Sequence, residues 1–378
     1  MMNPLINLDD YREAARKRLP RFAFDYIEGG AESEGGLRHN REALARIRLI
    51  PRRLRNVARR DTSCELFGER LAAPFVVAPT GLNGLLWPRG DIALARAAAR
   101  NQIPFVLSTA SSSSIEEVAR ACDGDRWFQL YVIHRRLAEQ LVRRALAADY
   151  TTLVLTVDVV KNGIRERDLR NGFGLPMRMT RTLVCEGLAH PRWSASLLRH
   201  GLPRLANISR AEPGDTELQA ALLSRSMDAT FDWPGLTLLR DLWPRRLIVK
   251  GILTVEDALA CMRLGVDGVV LSNHGGRQLD DCIAPIEALE NVRDSVRMPI
   301  LIDSGFRRGS DIVKALALGA DAVMLGRSLL YGLAAQGEAG VDRVIALLRG
   351  QLDDTLAQIG CSSLNDLCKE HLQIPRNG

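Results

Sequence analysis

Between Phe75 and Gly326 the chain alternates short apolar runs with longer amphipathic ones, and few folds accommodate that rhythm. The apolar runs are FVVAP (75–79), PFVLST (104–109), WFQLY (127–131), TLVLTVD (152–158), LIVKG (247–251), DGVVLS (267–272), PILID (299–303) and AVMLG (322–326). Each is too short for a buried helix and is continuous rather than alternating, the signature of a strand covered on both faces. Helical periodicity fills the intervals, for example at 91–101, 115–122, 135–148, 255–264 and 310–318. Eight strand–helix units predict an α/β fold, a closed (β/α)8 TIM barrel rather than an open sheet.

Two stretches fall outside this rhythm. Residues 1–70 read as a helical cap, with Asn7, Asp9 and Asp10 offered as N-caps to a helix beginning near Tyr11. From about 173 to 244, after the fourth strand, no barrel strand is defensible, and an excursion that long is usually functional or disordered. No linker or low-complexity tract divides the chain, so 1–378 is expected to form a single domain, 1–70 as cap and 71–378 as barrel.

Composition narrows the function classes. A hydrophobic content of 46% suits a large core, and a net charge of +6 over 378 residues is a weak argument for nucleic acid. No RNP, zinc-finger or basic-region pattern supports one either, so no nucleic-acid partner is expected. The seven cysteines are dispersed, with no CxxC, which indicates neither a zinc site nor a disulfide framework and suits a reducing compartment. No metal is expected. The first twenty residues lack the apolar core of a signal peptide, and no run is long enough to span a bilayer.

Chemistry in such a barrel collects at the C-terminal ends of the strands. In order, those ends carry Thr80, Ser108, Gln129 with Tyr131, Thr156 with Asp158, Lys250, His274 with Arg277, Asp303, and Gly326 with Arg327. Any one of these is as well read as a solvated loop residue; a polar group after every apolar run is not. The last two ends, DSGFRRGSDIVKAL and AVMLGRSLLYG, pair glycines (Gly305, Gly326) with arginines (Arg307, Arg327) ahead of helices, which suits a phosphate. The segment LSNHGGRQLD (271–280) places a base and a fixed cation on one loop. An arginine grips a carboxylate through two parallel hydrogen bonds, and a histidine near neutrality accepts a proton. The pair therefore suits a carboxylate substrate that loses a proton nearby. Taken alone, it is equally consistent with a satisfied loop histidine and a surface arginine.

SNHGGRQLD resembles the active-site segment of the FMN-dependent 2-hydroxy acid dehydrogenases and oxidases, and the likeness covers nearly the whole chain. APTGLNGLLWPRGD, CDGDRWFQLYVIHR, RERDLRNGFGLP and LIDSGFRRGSDIVKALALGADAVMLGR look most like the mandelate-oxidising branch of that family. The resemblance implies FMN as cofactor and oxidation of (S)-mandelate, or a similar aromatic 2-hydroxy acid, to the 2-keto acid. It makes His274 the base, Asp158 its partner, and Arg277 and Arg165 the clamp on the substrate carboxylate. Tyr26 and Tyr131 would contact the substrate; without the family, Tyr26 reads as an ordinary residue of an amphipathic helix. Lys250 would sit at the pyrimidine end of the flavin. Thr80, Gly81, Ser108, Gln129 and Thr156 would hold the ring, Asp303 the ribityl chain, and Gly305, Arg307, Gly326 and Arg327 the phosphate. Gly81 stands where the family's oxidases tend to carry alanine, a hint of a dehydrogenase. STASSSS leaves the region after the second strand small enough for an aryl group.

Within the excursion, 177–210 carries six arginines against one acid, Glu186, interleaved with Trp193, Leu197, Leu198, Leu202 and Leu205. That composition suits either an anionic membrane surface or a solvated, packed loop. The resemblance favours the membrane, with a peripheral enzyme on the cytoplasmic face of a bacterial inner membrane, a homotetramer, and electrons delivered to a quinone or the respiratory chain. Three rivals remain: an oxygen-using oxidase releasing peroxide, a Schiff-base aldolase with Lys250 as nucleophile, and a non-catalytic flavin-binding module.

Overall fold

The structure is a computed structural model that describes residues 4–174, 180–208 and 227–374. Eight parallel strands close into a barrel: β1 (Phe75–Val77), β2 (Phe105–Ser108), β3 (Arg126–Leu130), β4 (Thr152–Thr156), β5 (Arg246–Ile252), β6 (Gly268–Leu271), β7 (Ile300–Ile302) and β8 (Ala322–Leu325). The closure is direct, with β8 pairing β1 at Val323–Phe75 and Leu325–Val77. The predicted (β/α)8 architecture holds, and each strand lies within two residues of its expected place.

Alternation along the strands sorts the core into two. Inward-facing Val76, Val106, Trp127, Val154, Ile248, Val270 and Leu301 fill the barrel, while outward neighbours such as Leu107, Phe128, Leu153, Val249 and Leu271 pack beneath the helices. The filled interior is a packed core, not a pore. Its N-terminal end is stopped by an antiparallel hairpin, Cys64–Leu66 with Glu69–Leu71. Leu66 and Leu71 enter the inner cluster, and Phe67 meets Trp127 edge-on with ring centroids 6.0 Å apart. This hairpin corrects the expectation that residues 1–70 are helical throughout: the helical part is α1 (Leu8–Arg18), α2 (Arg21–Glu28) and α3 (Gly35–Arg46).

Asn7 caps α1 as expected. Its Oδ1 accepts from the backbone of Asp9 and Asp10 at 2.8 and 3.0 Å, and the Asp10 carboxylate accepts in return from the Asn7 N–H. The helical cap covers the open, C-terminal mouth of the barrel, so α2 brings Tyr26 over the strand ends. No barrel strand interrupts the described part of the excursion; it contains helices Arg181–Ala189, Pro191–His200 and Trp233–Leu242. Trp193 pins it to the barrel by donating from Nε1 to the Leu85 carbonyl at 2.8 Å and by packing edge-on against Phe22 of α2. The expected stretch 177–210 is only partly within the described residues. Among those residues no helix is long and apolar enough to cross a membrane.

Candidate active site

On β2 to β7 the inward-facing position that is apolar at the bottom of the strand becomes polar at the top, as Ser108, Gln129, Thr156, Lys250, Ser272 and Asp303. Ser108 and Gln129 are register partners across β2 and β3, as are Thr156 and Lys250 across β4 and β5. Hydrogen bonds run round this ring: Ser108 Oγ to Gln129 Oε1 at 3.0 Å, then Gln129 Nε2 to Thr156 Oγ1 at 3.0 Å. On the far side Lys250 Nζ donates to Ser272 Oγ at 2.6 Å and pairs with Asp303 at 3.0 Å. Burial by itself would lower the Lys250 pKa, but Asp303 and then Asp158 outweigh it and hold the ammonium more firmly charged than in water. A lysine kept charged is a poor Schiff-base nucleophile, which weighs against an aldolase.

His274 follows β6 and sits at φ +58°, a left-handed conformation that costs a non-glycine residue energy and marks functional loops. Its backbone N–H donates to Ser272 Oγ at 3.0 Å, which fixes the turn. The ring lies between two partners, Nδ1 at 2.9 Å from Asp158 Oδ1 and Nε2 at 3.3 Å from the Tyr131 hydroxyl. Burial lowers the His274 pKa despite the opposing pull of Asp158, and Lys250 and Arg165 push the same way. The Asp158 carboxyl would be raised by burial, yet His274 and Lys250 hold it below its ordinary value. The lowered His274 pKa favours a neutral imidazole in the resting site, beside the Asp158 carboxylate. With Nδ1–H given to Asp158, the tautomer leaves Nε2 as the basic lone pair. Tyr131 is pushed upward, chiefly by burial and then by Asp158, so its hydroxyl keeps its proton.

Asp158 can stand there because residue 251 is glycine. Gly251 has φ +107°, and a Cβ on it would fall 2.7 Å from the Asp158 Cβ.

Opposite His274 the site is cationic. Arg277 donates from Nη1 to the Gly29 carbonyl at 2.8 Å and stacks over the Tyr26 ring at 5.4 Å. Burial first, then the like charges of Arg165 and Arg327, push its guanidinium down to about 9. A guanidinium does not give up its proton in a protein, so an anion facing Arg277 would relieve the strain. Arg165 Nε is buried with no hydrogen-bond partner among the described residues. Arg327 is occupied differently: its guanidinium donates to the carbonyls of Ile27, Gly275 and Gly29, each at 2.9 Å. It staples α2 to the His274 loop with three of its five N–H donors, and its backbone N–H at the start of helix Arg327–Ile359 adds a further donor toward a phosphate.

These groups surround one open-mouthed cavity. Thr80, Gly81, Ser108, Tyr26, Tyr131, Arg165, Lys250, His274, Arg277, Asp303, Gly305, Arg307, Gly326 and Arg327 all line it. Gln129 and Thr156 stand behind Ser108 in the polar ring, and Asp158 behind His274. FMN fits this donor set. A flat ring with donor and acceptor edges matches the hydrogen-bonded ring at the tops of β2–β5. An anionic tail matches the glycine turns after β7 and β8 with Arg307. Gly81 is tight: a Cβ there would lie 3.0 Å from the Ala110 Cβ and 3.5 Å from the Tyr26 hydroxyl. Among the described residues no cluster suits a metal.

Sequence reasoning missed several members. Ser272 belongs to the SNHGGRQLD segment without an expected role, yet it joins Lys250 to His274. Leu205, Ile208 and Met227 reach the cavity from the excursion, and Ile133 and Val159 from the ends of β3 and β4. Their one signal was apolar character, in the excursion or just after a strand, which does not reveal a tertiary contact.

The family model for FMN-dependent dehydrogenases matches residues 15–374. The chain is 57% identical to (S)-mandelate dehydrogenase of Pseudomonas putida over 99% of its own length and 95% of that protein's. It is 43% identical to an L-lactate dehydrogenase of Pectobacterium atrosepticum, covering 96% and 95% of the two chains. The crystal structure of (S)-mandelate dehydrogenase, described as a monotopic membrane protein, superimposes with a TM-score of 0.95 at 57% identity, covering 99% of this chain and 100% of that one. The chain belongs to the FMN-dependent dehydrogenases and is an FMN-dependent 2-hydroxy acid dehydrogenase.

Proposed function

We propose that the enzyme oxidises (S)-mandelate, or a 2-hydroxy acid with a comparable aryl side chain, to the 2-keto acid, and passes the electrons to a membrane quinone. The observation that carries the substrate class is the apolar wall of Leu205, Ile208, Met227 and Val159 in the same cavity as the His274–Arg277–Arg165 cluster. The cluster takes the carboxylate and the reacting carbon, and the wall takes the ring.

In this reading Arg277 and Arg165 clamp the carboxylate, which answers both the unrelieved charge of one and the unpartnered Nε of the other. Tyr26 and Tyr131 orient the substrate's polar end. His274 Nε2 removes a proton from the substrate, and Asp158 stabilises the imidazolium that results. In either order of proton and electron movement Nε2 is the proton's destination. FMN, when bound, supplies the two-electron acceptor. Lys250 would lie at the ring edge where negative charge grows; Ser108, Gln129, Thr156, Thr80 and Gly81 would hold the ring, Asp303 the ribityl chain, and Gly305, Arg307, Gly326 and Arg327 the phosphate.

The proposal extends to peripheral attachment at the cytoplasmic face of the membrane through the excursion. Val184, Leu188, Leu198 and Leu202 are exposed there beside Arg192, Arg199 and Arg204, a combination that partitions to anionic lipid surfaces. On family resemblance it extends to a homotetramer, which sedimentation of the purified holoenzyme tests.

The deciding experiment is a panel of 2-hydroxy acids with an artificial electron acceptor, run anaerobically and in air. The proposal expects the best kcat/KM with phenyl-bearing acids and little peroxide in air. A preference for glycolate or lactate, or stoichiometric peroxide, would replace it with the oxidase or lactate-oxidising alternative.

A further inference from the structure

Asn207 lies in the last described stretch of the excursion before residue 227, after a run of exposed and half-buried residues, yet it is only 1% exposed itself. An amide side chain is buried at that level only when its polar atoms are satisfied, and here they are satisfied by the barrel. Nδ2 donates to Ser111 Oγ at 3.0 Å. Oδ1 accepts from the Ile115 backbone at 3.0 Å and from Arg144 at 3.3 Å. The Asn207 carbonyl accepts a further bond from Arg144 at 3.3 Å, and the Ala206 N–H donates to the Ser111 carbonyl at 3.0 Å. Arg144 is itself fixed by a two-pronged pairing with Glu116 at 2.8 and 2.9 Å. Ser111 in turn donates its backbone N–H to the carbonyl of Ser108, a member of the polar ring, at 3.0 Å.

The neighbours of Asn207 point the other way. Leu205 and Ile208 line the active-site cavity, with Met227 beside them. We propose that Asn207 is a positioning residue for substrate specificity: it clamps the returning excursion to the loop after β2 and so holds Leu205 and Ile208 where the substrate's side chain packs. The inference rests on the aryl-substrate reading above and deepens it. Without the clamp, the wall has no side-chain hydrogen bond to the barrel at this point. An acid with a large side chain then loses its contact surface, and a small one loses little.

The test uses the holoenzyme and four variants, Asn207→Ala, Asn207→Asp, Ser111→Ala and Leu205→Ala. KM and kcat are measured for a phenyl-bearing and a methyl-bearing 2-hydroxy acid with an artificial acceptor, and flavin content in parallel. Asn207→Ala and Leu205→Ala are expected to raise KM for the phenyl acid about tenfold or more, the scale on which apolar side-chain contacts discriminate. The methyl acid should change less than about twofold, with flavin content unchanged. Asn207→Asp keeps the acceptor for Ile115 and Arg144 and should recover most of the loss; Ser111→Ala should show a smaller loss of the same kind. Equal factors for both acids, no change in either, or an aspartate variant as impaired as the alanine one would overturn the proposal. Should Asn207→Ala fail to fold, Ser111→Ala and Leu205→Ala decide the question through the same comparison of the two acids. The wild-type preference between the two acids tests the substrate reading, and the change in that preference tests the clamp, so the two can fail separately.

Discussion

The Nδ1 of His274 lies 2.9 Å from Oδ1 of Asp158, and the second carboxylate oxygen of Asp158 is buried with no hydrogen-bond partner among the described residues. The carboxylate is thus held for the imidazole and the nearby Lys250 charge. Asp158→Asn keeps the shape but removes the charge and permits the wrong tautomer. The turnover rate should fall about 10²- to 10⁴-fold with flavin still bound, as steady-state assay and the flavin absorbance of the purified variant will show.

The same pair sets the pH profile. His274 must be unprotonated to act, so kcat/KM rises with pH through its pKa. Burial lowers that pKa from the ordinary 6.5, which puts the acid limb below 6.5 and leaves the neutral range on the plateau. Asp158 pulls upward on the same group, so in Asp158→Asn the limb moves further toward acid. A limb shifted toward alkali in the variant would contradict this assignment of forces.

Gly251→Ala tests the space behind Asp158. A β-carbon at φ +107° is strained, and it would sit 2.7 Å from the Asp158 Cβ. The expected loss is on the order of 1–3 kcal/mol of stability, read from thermal unfolding of the holoenzyme. It should be accompanied by a fall in kcat as Asp158 is pushed off the imidazole.

Lys250→Met leaves Asp303 buried beside an apolar group. Removing one member of a buried ion pair costs about 3–5 kcal/mol, and here it also removes the cation at the end of the polar ring. The variant should melt earlier and lose flavin on gel filtration, measurable as the ratio of visible to ultraviolet absorbance.

Membrane attachment needs point substitutions rather than excision. Removing 177–210 would also take away Trp193, which is bonded to Leu85, and Leu205, Asn207 and Ile208 of the cavity wall. Leu188 and Leu198, by contrast, are 76% and 86% exposed. Leu188→Glu with Leu198→Glu should shift the enzyme from the pellet to the supernatant in sedimentation with anionic vesicles, while activity with a soluble acceptor stays unchanged.

What could be read from the sequence follows interaction range. Strand positions came through because apolar runs and the helices between them are local patterns, and the polar residues at strand ends follow once a barrel is assumed. The 64–71 hairpin did not, since its strands are three residues each and its role is to plug a distant barrel end. The Arg327 staple was hidden because a glycine–arginine pair before a helix gives no sign that the guanidinium also meets three carbonyls. Asn207 gave no signal at all, and Ser272, although inside the SNHGGRQLD segment, gave no sign of its bridging role: one amide and one hydroxyl matter only through partners on other elements.

The central claim is that His274 takes the substrate proton while the paired guanidiniums hold the carboxylate. Anaerobic stopped-flow reduction of the bound flavin by mandelate tests it most directly, comparing wild type with His274→Asn. The variant is predicted to saturate with substrate at similar concentrations, through Arg277 and Arg165, but to reduce its flavin about 10²- to 10⁴-fold more slowly. Flavin bleaching at the wild-type rate in His274→Asn would contradict the claim.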